Sequence, residues 1–260
     1  MIKNGNFIIS LDYELMWGVR DSRLESEYGE HIMNVPNVIK KTLALSQAYG
    51  IDITVATVGF LFQKNAEQLL ANTPKVIPEY RNDALSPFIG MCDYLKETKN
   101  DTLYFNYPVT KSLLDSNNIE MASHTYSHFY CLESENNEEA FTADTAIMQK
   151  VAGKHGVPIK SIVFPRNQYT KEHIAICKKF GITSYRGNPE HWIYKPSASN
   201  EQGLFKRLLR LLDAYCNITG HHCHDLTEIS KSEPYNIAAI IFGGTLIILD
   251  QIWKKIWLDY

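Results

Sequence analysis

Hydrophobic positions along the chain follow two alternating patterns, short apolar runs and longer stretches with helical spacing. Short runs ending at polar residues or turn signals predict strands at 6–12, 51–59, 117–124, 159–165 and 182–187. Apolar residues at helical spacing predict helices at 35–50, 138–156, 170–181 and 204–215. Strands that alternate with helices of this size predict βα units around a parallel sheet or barrel.

We interpret the 260 residues as one domain, 1–260. Two regions of it depart from the alternation of strands and helices. Residues 60–116 contain Pro74, Pro78, Pro87 and Pro108 among many polar residues, and they predict an excursion of short helices and loops. The tail, 226–260, is atypical. Its apolar run, 237–249, is shorter than the roughly 20 residues of a membrane-spanning helix. A last core strand and helix is the favoured interpretation, and an aromatic tail resting on a membrane surface or a partner is the alternative.

Composition limits the kinds of partner and the cellular compartment that we expect for this protein. A net charge of −3 without a basic block argues against a nucleic-acid partner. Five cysteines without a CxxC pair do not form the pattern of a disulfide framework. The N-terminus shows no secretory signal, because only three consecutive apolar residues precede Ser10. We therefore expect a cytoplasmic protein without a transmembrane segment.

Unusual polar residues follow four of the predicted strands, in "SLDYE", "SHTYSH", "FPRNQY" and "YRGNPEHW". Functional residues of parallel βα folds cluster where strands end and loops begin. His124 and His128 lie on one face if the chain turns helically there, and two imidazoles so placed can bind a divalent ion. The pair is not the HExxH of zinc proteases, because Thr125 stands where the glutamate would be.

Acidic and basic residues at the other strand ends supply candidate partners for the histidines. Asp12 and Glu14 point to the same side of an extended strand, so one can bind a metal while the other takes a proton from water. Alternatively, Asp12 caps a turn and Glu14 is solvated. Arg166 beside a catalytic carboxylate would keep it ionised and oriented, and the alternative is a surface arginine in a turn.

Aromatic residues and a second histidine cluster complete the candidates. Tyr169 could face an oxyanion, and Tyr185 and Trp192 could form the wall of a sugar pocket or belong to the core. The stretch "GHHCHD", 220–225, could bind a metal by itself, although adjacent histidines point apart in most conformations.

The order of these stretches resembles the polysaccharide deacetylase family, carbohydrate esterase family four. "ISLDYELMWG" stands in place of its first motif, and "HTYSH" matches its His-Ser/Thr-x-x-His motif at every specified position. The resemblance covers about residues 5–195. It implies a distorted barrel of about seven parallel strands and a hydrolase that removes acetyl groups from sugars. It also implies one divalent metal, commonly Zn²⁺. The resemblance fades beyond residue 225, so we expect the barrel to be incomplete or altered at its C-terminus.

The resemblance also implies a role for each candidate residue. Asp12 matches the catalytic base, and Glu14, His124 and His128 match the metal ligands. Arg166 matches the residue that tethers the base, although the family's Arg-x-Pro order is here Pro165-Arg166. Trp192 matches a pocket-lining tryptophan.

One family motif is not found in this sequence. The family's late Leu-x-His, which supplies the general acid, has no counterpart, since no histidine follows His224. His173 and His224 are weak substitutes. The sequence therefore favours a metal-dependent deacetylase acting on an acetylated sugar or polysaccharide. The alternatives are a catalytically impaired carbohydrate-binding relative and a hydrolase of small amides.

Overall fold

A parallel β-sheet forms the centre of the molecule. The structure, a computed structural model, describes residues 6–97, 101–189, 191–198, 203–216, 218–220 and 223–238. The strands in this part of the chain are β1 (Ser10–Tyr13), β2 (Ile53–Thr57), β3 (Ile119–Ser123), β4 (Ser161–Val163), β5 (Ser184–Gly187) and β6 (Tyr235–Ala238). Each strand pairs in parallel with the next one along the chain, which gives the order β1-β2-β3-β4-β5-β6. The predicted α/β class with parallel strands is confirmed.

Helices connect the strands and cover one face of the sheet. They are α1 (Glu25–Met33), α2 (Val35–Tyr49), α3 (Ala66–Ala71), α4 (Met91–Glu97), α5 (Tyr107–Leu114), α6 (Asn137–Gly153), α7 (Lys171–Lys179), α8 (Leu204–Cys216) and α9 (Leu226–Ile229). Short 3₁₀ turns follow several strands, including Leu15–Gly18 after β1, Gly59–Phe62 after β2 and Pro165–Asn167 after β4. Residues 60–116 hold the short helices α3, α4 and α5. No helix in the described ranges is long and apolar enough to cross a bilayer.

The two faces of the sheet differ in chemistry because side chains alternate along each strand. The face that meets the helices carries the main core, to which every strand from β1 to β5 contributes: Tyr13, Ile53, Val55, Met121, Ile162 and Tyr185. The opposite face holds a small apolar patch of Ala56, Ala122 and Val163. Around that patch Thr54 and Ser161 donate hydrogen bonds to the two oxygens of Glu120, at 2.7 and 2.6 Å.

Side-chain contacts across this second face show that the sheet is strongly curved. Arg186 on β5 donates hydrogen bonds to Asp12, at 2.8 Å, and to Ser10, at 3.3 Å, both on β1. Four strand spacings in a flat sheet would separate β1 from β5 by about 19 Å, more than an arginine and an aspartate can bridge. The polar face is therefore concave, as in the barrel that the sequence resemblance implies.

Four of the five predicted strands are present with shorter bounds, and the first is shifted along the chain. β1 begins at Ser10 and ends at Tyr13, so Phe7 and Ile8 of the predicted run 6–12 precede the strand and are exposed. The apolar run 237–249 contributes its first two residues to β6, and its remainder and the helix predicted after it lie outside the described residues.

Candidate metal centre

The register of the sheet brings the first two candidate ligands together. Tyr13 pairs with Thr57, and Thr57 pairs with Ser123, so β1 and β3 end at the same level. Glu14 and His124 are the next residues along the chain after these ends. The His124 amide still donates to the carbonyl of Thr57, at 3.0 Å, which fixes the start of the following loop.

The loop after β3, residues 124–129, is called the His loop below, and it is not the helical turn that the spacing predicts. Thr125 and His128 have left-handed backbones, with φ of 60° and 55°. Such a conformation costs a residue with a Cβ roughly 1–2 kcal/mol. The Thr125 hydroxyl donates to the His124 carbonyl and accepts from the Phe129 amide, both at 2.6 Å. The two histidines therefore converge through a strained, hydrogen-bonded loop.

Three ligand atoms meet at this point. Oε2 of Glu14 lies 3.2 Å from Nε2 of His124 and 3.0 Å from Nε2 of His128. Two ligands that bind zinc at roughly 2.0–2.1 Å with a tetrahedral angle stand about 3.3 Å apart. Within the described part of the chain, Glu14, His124 and His128 form a group whose ligand atoms lie close enough together to bind one metal ion.

The protonation of His124 suits a metal ligand. Its Nδ1 lies 2.9 Å from the carbonyl oxygen of Val163, which can only accept a hydrogen bond. The proton therefore sits on Nδ1, and the lone pair of Nε2 faces Glu14 and His128. His128 lacks this support, since its buried Nδ1 has no hydrogen-bond partner among the described residues. The site thus fits a divalent metal, with one ligand held more firmly than the other.

Electrostatics favour a charged Glu14 carboxylate. Burial raises the pKa of Glu14, but its interactions with the two neighbouring histidines outweigh this effect and leave the pKa below its usual range. Burial lowers the pKa of His128. A carboxylate and two neutral imidazoles form the donor set of several catalytic zinc sites, and a fourth position is then open to water or substrate.

A buried carboxylate holds the middle of the His loop. Asp144 on α6 accepts hydrogen bonds from the amides of Tyr126, at 2.6 Å, and Ser127, at 3.0 Å, and from the Ser127 hydroxyl. Sequence reasoning missed this residue, although a signal was present. Asp144 lies on the buried side of α6, where its neighbours at helical spacing are apolar: Ala140, Phe141, Met148, Val151 and Ala152.

Asp12 lies on the concave face of the sheet, and its partner is Arg186 rather than Arg166. Arg186 donates to the Asp12 carboxylate and to Ser10, and its Nε is buried with no hydrogen-bond partner in the chain as described. The sequence of β5, "SYRG", could have predicted this partner. Side chains alternate along a strand, so Tyr185 in the core places Arg186 on the concave face.

Arg166 belongs to the loop after β4, residues 165–169, called the Arg loop below. Its backbone is left-handed, with φ of 55°. Its guanidinium forms a short ion pair with Asp21 and lies 4.1 Å from the centre of the Tyr130 ring. Asp21 also accepts from the Tyr130 hydroxyl, at 3.2 Å. The structure thus places Arg166 in a cluster with Asp21 and Tyr130, beside the His loop.

The three aromatic candidates lie in different environments. Tyr169 and Tyr185 pack edge to face, with ring centres 5.4 Å apart, and Tyr185 is buried on the helix-facing side of the sheet. The Tyr169 hydroxyl accepts from the Asn188 amide, at 3.1 Å. Trp192 is half exposed in a short 3₁₀ turn after β5. The structure therefore leaves Trp192 accessible, whereas Tyr185 serves the core.

The remaining histidines have clear positions. His173 is fully buried, with its Nδ1 accepting from the Thr170 amide and its Nε2 donating to Asn137, at 3.1 and 2.7 Å. It has no path to a substrate as a proton donor. His224 and Cys223 of "GHHCHD" are exposed, and His221 and His222 lie outside the described residues.

Comparisons with known proteins give weak matches. No family model and no curated protein matches the chain. A solved structure from Mycobacterium smegmatis, assigned as a polysaccharide deacetylase, is 11% identical with a TM-score of 0.46, over 70% of this chain and 50% of that one. A de-N-acetylase from Aggregatibacter actinomycetemcomitans is 14% identical with a TM-score of 0.44, over 71% and 63%. A pseudoenzyme of carbohydrate esterase family 4 from Bacillus anthracis is 12% identical with a TM-score of 0.38, over 68% and 42%.

The chain thus spans about half the length of these solved structures, from 42% to 63%. Their names include the activity and the family that the motifs at the ends of β1 and β3 resemble. The chain is similar to deacetylases and also to a pseudoenzyme of that family.

Proposed function

We propose that this chain is a metal-dependent hydrolase that removes acetyl groups, N-linked in the first instance, from a sugar or polysaccharide. The observation that carries the proposal is the convergence of Glu14, His124 and His128, with Asp12 two residues before Glu14, near the end of β1. The match of "HTYSH" and "LDYE" to the deacetylase motifs supports the choice of reaction.

Glu14, His124 and His128 would hold the metal, and Zn²⁺ suits two imidazoles and one carboxylate. A divalent metal held there would supply a Lewis acid for the acetyl oxygen and for a water molecule. Asp12 is proposed as the base that takes the proton from water. The same residue, once protonated, can return that proton to the departing nitrogen.

Arg186 is proposed to hold the Asp12 carboxylate in position, the role that the sequence resemblance assigns to Arg166. The bond of 2.8 Å between Arg186 and Asp12 supports this change of role. Trp192, half exposed after β5, remains a candidate for contact with a sugar ring. Tyr169, in the loop after β4, remains a candidate for contact with the substrate.

A cytoplasmic location remains part of the proposal, with an acetylated sugar precursor or polymer intermediate as substrate. Cys131 and Cys177 are buried free thiols, as expected in a reducing compartment. Recovery of the protein mainly outside the cell would contradict this location.

The test begins with metal content. Purified protein is stripped with a chelator, reloaded with Zn²⁺, and analysed by elemental analysis and calorimetry. We expect about one ion per chain, and its loss in Glu14→Gln and His124→Ala. Glu120→Gln is the matched control, because Glu120 lies on the same concave face but bonds to Thr54 and Ser161.

Acetate release then separates the functions. The zinc-loaded protein is assayed with N-acetylated oligosaccharides, O-acetylated xylan and a small amide such as acetamide. Release from the first substrate supports the proposal, and release from acetamide alone favours a hydrolase of small amides. A protein that binds zinc and sugar without releasing acetate would be a catalytically impaired relative.

A further inference from the structure

Asp144 presents a chemical problem, because it is a carboxylate 1% exposed on the inner side of α6. Buried carboxylates are usually paired with a cation. The structure gives Asp144 no ion pair within the part of the chain it describes. Burial raises the pKa of Asp144 to about 6, although hydrogen bonds from Ser127 and Tyr126 act in the opposite direction.

The bonds of Asp144 are concentrated on one short segment. All three donors belong to Tyr126 and Ser127, the residues between the two left-handed positions Thr125 and His128. Thr125 bridges the segment from the other side, through bonds to the His124 carbonyl and the Phe129 amide. Asp144 therefore holds the N–H groups of the two central peptides of the loop, while the amides of Gly59 and Phe60 donate to their carbonyls, at 3.0 and 3.1 Å.

We propose that Asp144 is a positioning residue for the metal centre, and that its contacts with the His loop hold the His128 imidazole opposite His124 and Glu14. This rests on the proposed function only in that the site binds a divalent metal. His128 depends on this help because its Nδ1 has no described hydrogen-bond partner, whereas His124 is held through Val163. Loss of Asp144 would then act on metal affinity through the backbone.

An asparagine at position 144 tests the carboxylate with little change in size. Its single carbonyl oxygen cannot accept from both amides and the Ser127 hydroxyl as two carboxylate oxygens do, and its NH₂ group would face a donor. We expect Asp144→Asn to weaken Zn²⁺ binding 10- to 100-fold, as seen for outer-shell partners of metal ligands. Ser127→Ala removes one of the three bonds and should give a smaller loss.

The measurement is zinc affinity by competition with a chromophoric chelator, together with the visible absorption of the Co²⁺-loaded protein. The absorption reports coordination geometry, which a loss of stability alone would not change. Thr145→Ala is the matched control, because Thr145 is buried on the same helix but its hydroxyl donates to the Phe141 carbonyl. We expect the control to keep the parental affinity and spectrum.

A second measurement needs no metal. Amide hydrogen exchange at Tyr126 and Ser127 should become faster in Asp144→Asn and in Ser127→Ala, while the core strands keep their protection. Parental zinc affinity in Asp144→Asn, or an equal loss in Thr145→Ala, would overturn the inference. If the parent itself binds no metal, the proposed function fails, and unchanged exchange in both variants would separately overturn the role of Asp144. If Asp144→Asn does not fold, zinc affinity and amide hydrogen exchange in Ser127→Ala test the inference instead.

Discussion

The His loop and the Arg loop follow neighbouring strands and use the same backbone device. Each contains two left-handed residues other than glycine, Thr125 and His128 in the first, Arg166 and Asn167 in the second. The His loop is buried, and a carboxylate from a helix fixes its interior. The Arg loop sends its charged side chain outward to Asp21.

The difference shows that the same backbone strain serves different ends, depending on the neighbouring structure. The His loop is confined by α6 below it and by Gly59 beside it, which keeps its two imidazoles inside the fold. In the Arg loop the Asn167 carbonyl accepts from the Asn188 side chain, at 3.0 Å. His173 holds Thr170 at the end of that loop, and not Arg166. Four changes would break or sharpen this comparison.

The largest effect is expected from Gly59→Ala, which presses directly on the His loop. A Cβ at this position would lie 2.7 Å from the Tyr126 Cα and 2.9 Å from the Met148 sulfur. Because backbone cannot move away as a side chain can, we expect unfolding free energy to fall by about 3 kcal/mol or more. Urea denaturation measures it. Gly153→Ala is the control, with nothing within 4 Å of the new Cβ, and a loss there as large as at Gly59 would contradict the explanation.

The stabilising effect of His173 at the end of the Arg loop should depend on pH. Burial lowers the pKa of His173 to about 4. The neutral ring also suits its contacts, since Nδ1 accepts from the Thr170 amide. A depressed pKa gives stability that is complete above the unfolded value of about 6.5 and is lost as pH falls towards 4. The stability difference between the parent and His173→Gln should shrink by about 3 kcal/mol between pH 7 and pH 4.

Urea denaturation across this range, on the parent and His173→Gln, checks the pH effect. His31→Gln changes an exposed histidine and serves as the control. A difference between parent and His173→Gln that does not change with pH would show that His173 is not held neutral in the fold.

Substitution of each arginine in turn tests whether Arg186 or Arg166 holds the Asp12 carboxylate in position. We expect Arg186→Gln to lower kcat on an acetylated oligosaccharide 10- to 100-fold, with KM and zinc content unchanged, because Asp12 loses its partner. Arg186→Lys should restore part of the loss, and Arg166→Gln should lower kcat less than threefold. Steady-state kinetics with elemental analysis provides the values. A larger loss in Arg166→Gln would return the tethering role to Arg166.

The smallest effect is expected from Asp21→Asn, which removes the contacts of Asp21 with Arg166 and Tyr130. Asp21 accepts from Arg166 and from Tyr130, so its replacement should cost about 1 kcal/mol of unfolding free energy. Zinc affinity should stay within twofold, in contrast to the result expected at Asp144. Glu135→Gln breaks an exposed ion pair with Arg81 and should cost less than Asp21→Asn. Weakened zinc binding in Asp21→Asn would mean that the two loops are coupled.

Local features of the sequence were enough to predict that Glu14, His124 and His128 lie together, but not which residues surround them. Glu14 and the two histidines follow strands whose parallel order fixes where their ends meet. The partner of Asp12 depends on sheet curvature, which no single stretch encodes, and a carboxylate inside an apolar helix face gives no hint of what it binds. The pocket role predicted for Tyr185 conflicts with strand alternation, which puts Tyr185 and Arg186 on opposite faces.

The bridge from β5 to β1 has a consequence for the order in which the protein assembles. Asp12 and Arg186 are 174 positions apart, whereas Glu14 and His128 are 114 apart. Long-range contacts form only after the intervening chain has been made and its loop entropy has been offset. On a ribosome the three proposed ligands and Asp144 emerge before Arg186 does. We therefore expect a nascent chain to become able to take up metal before it can hold its proposed base in place.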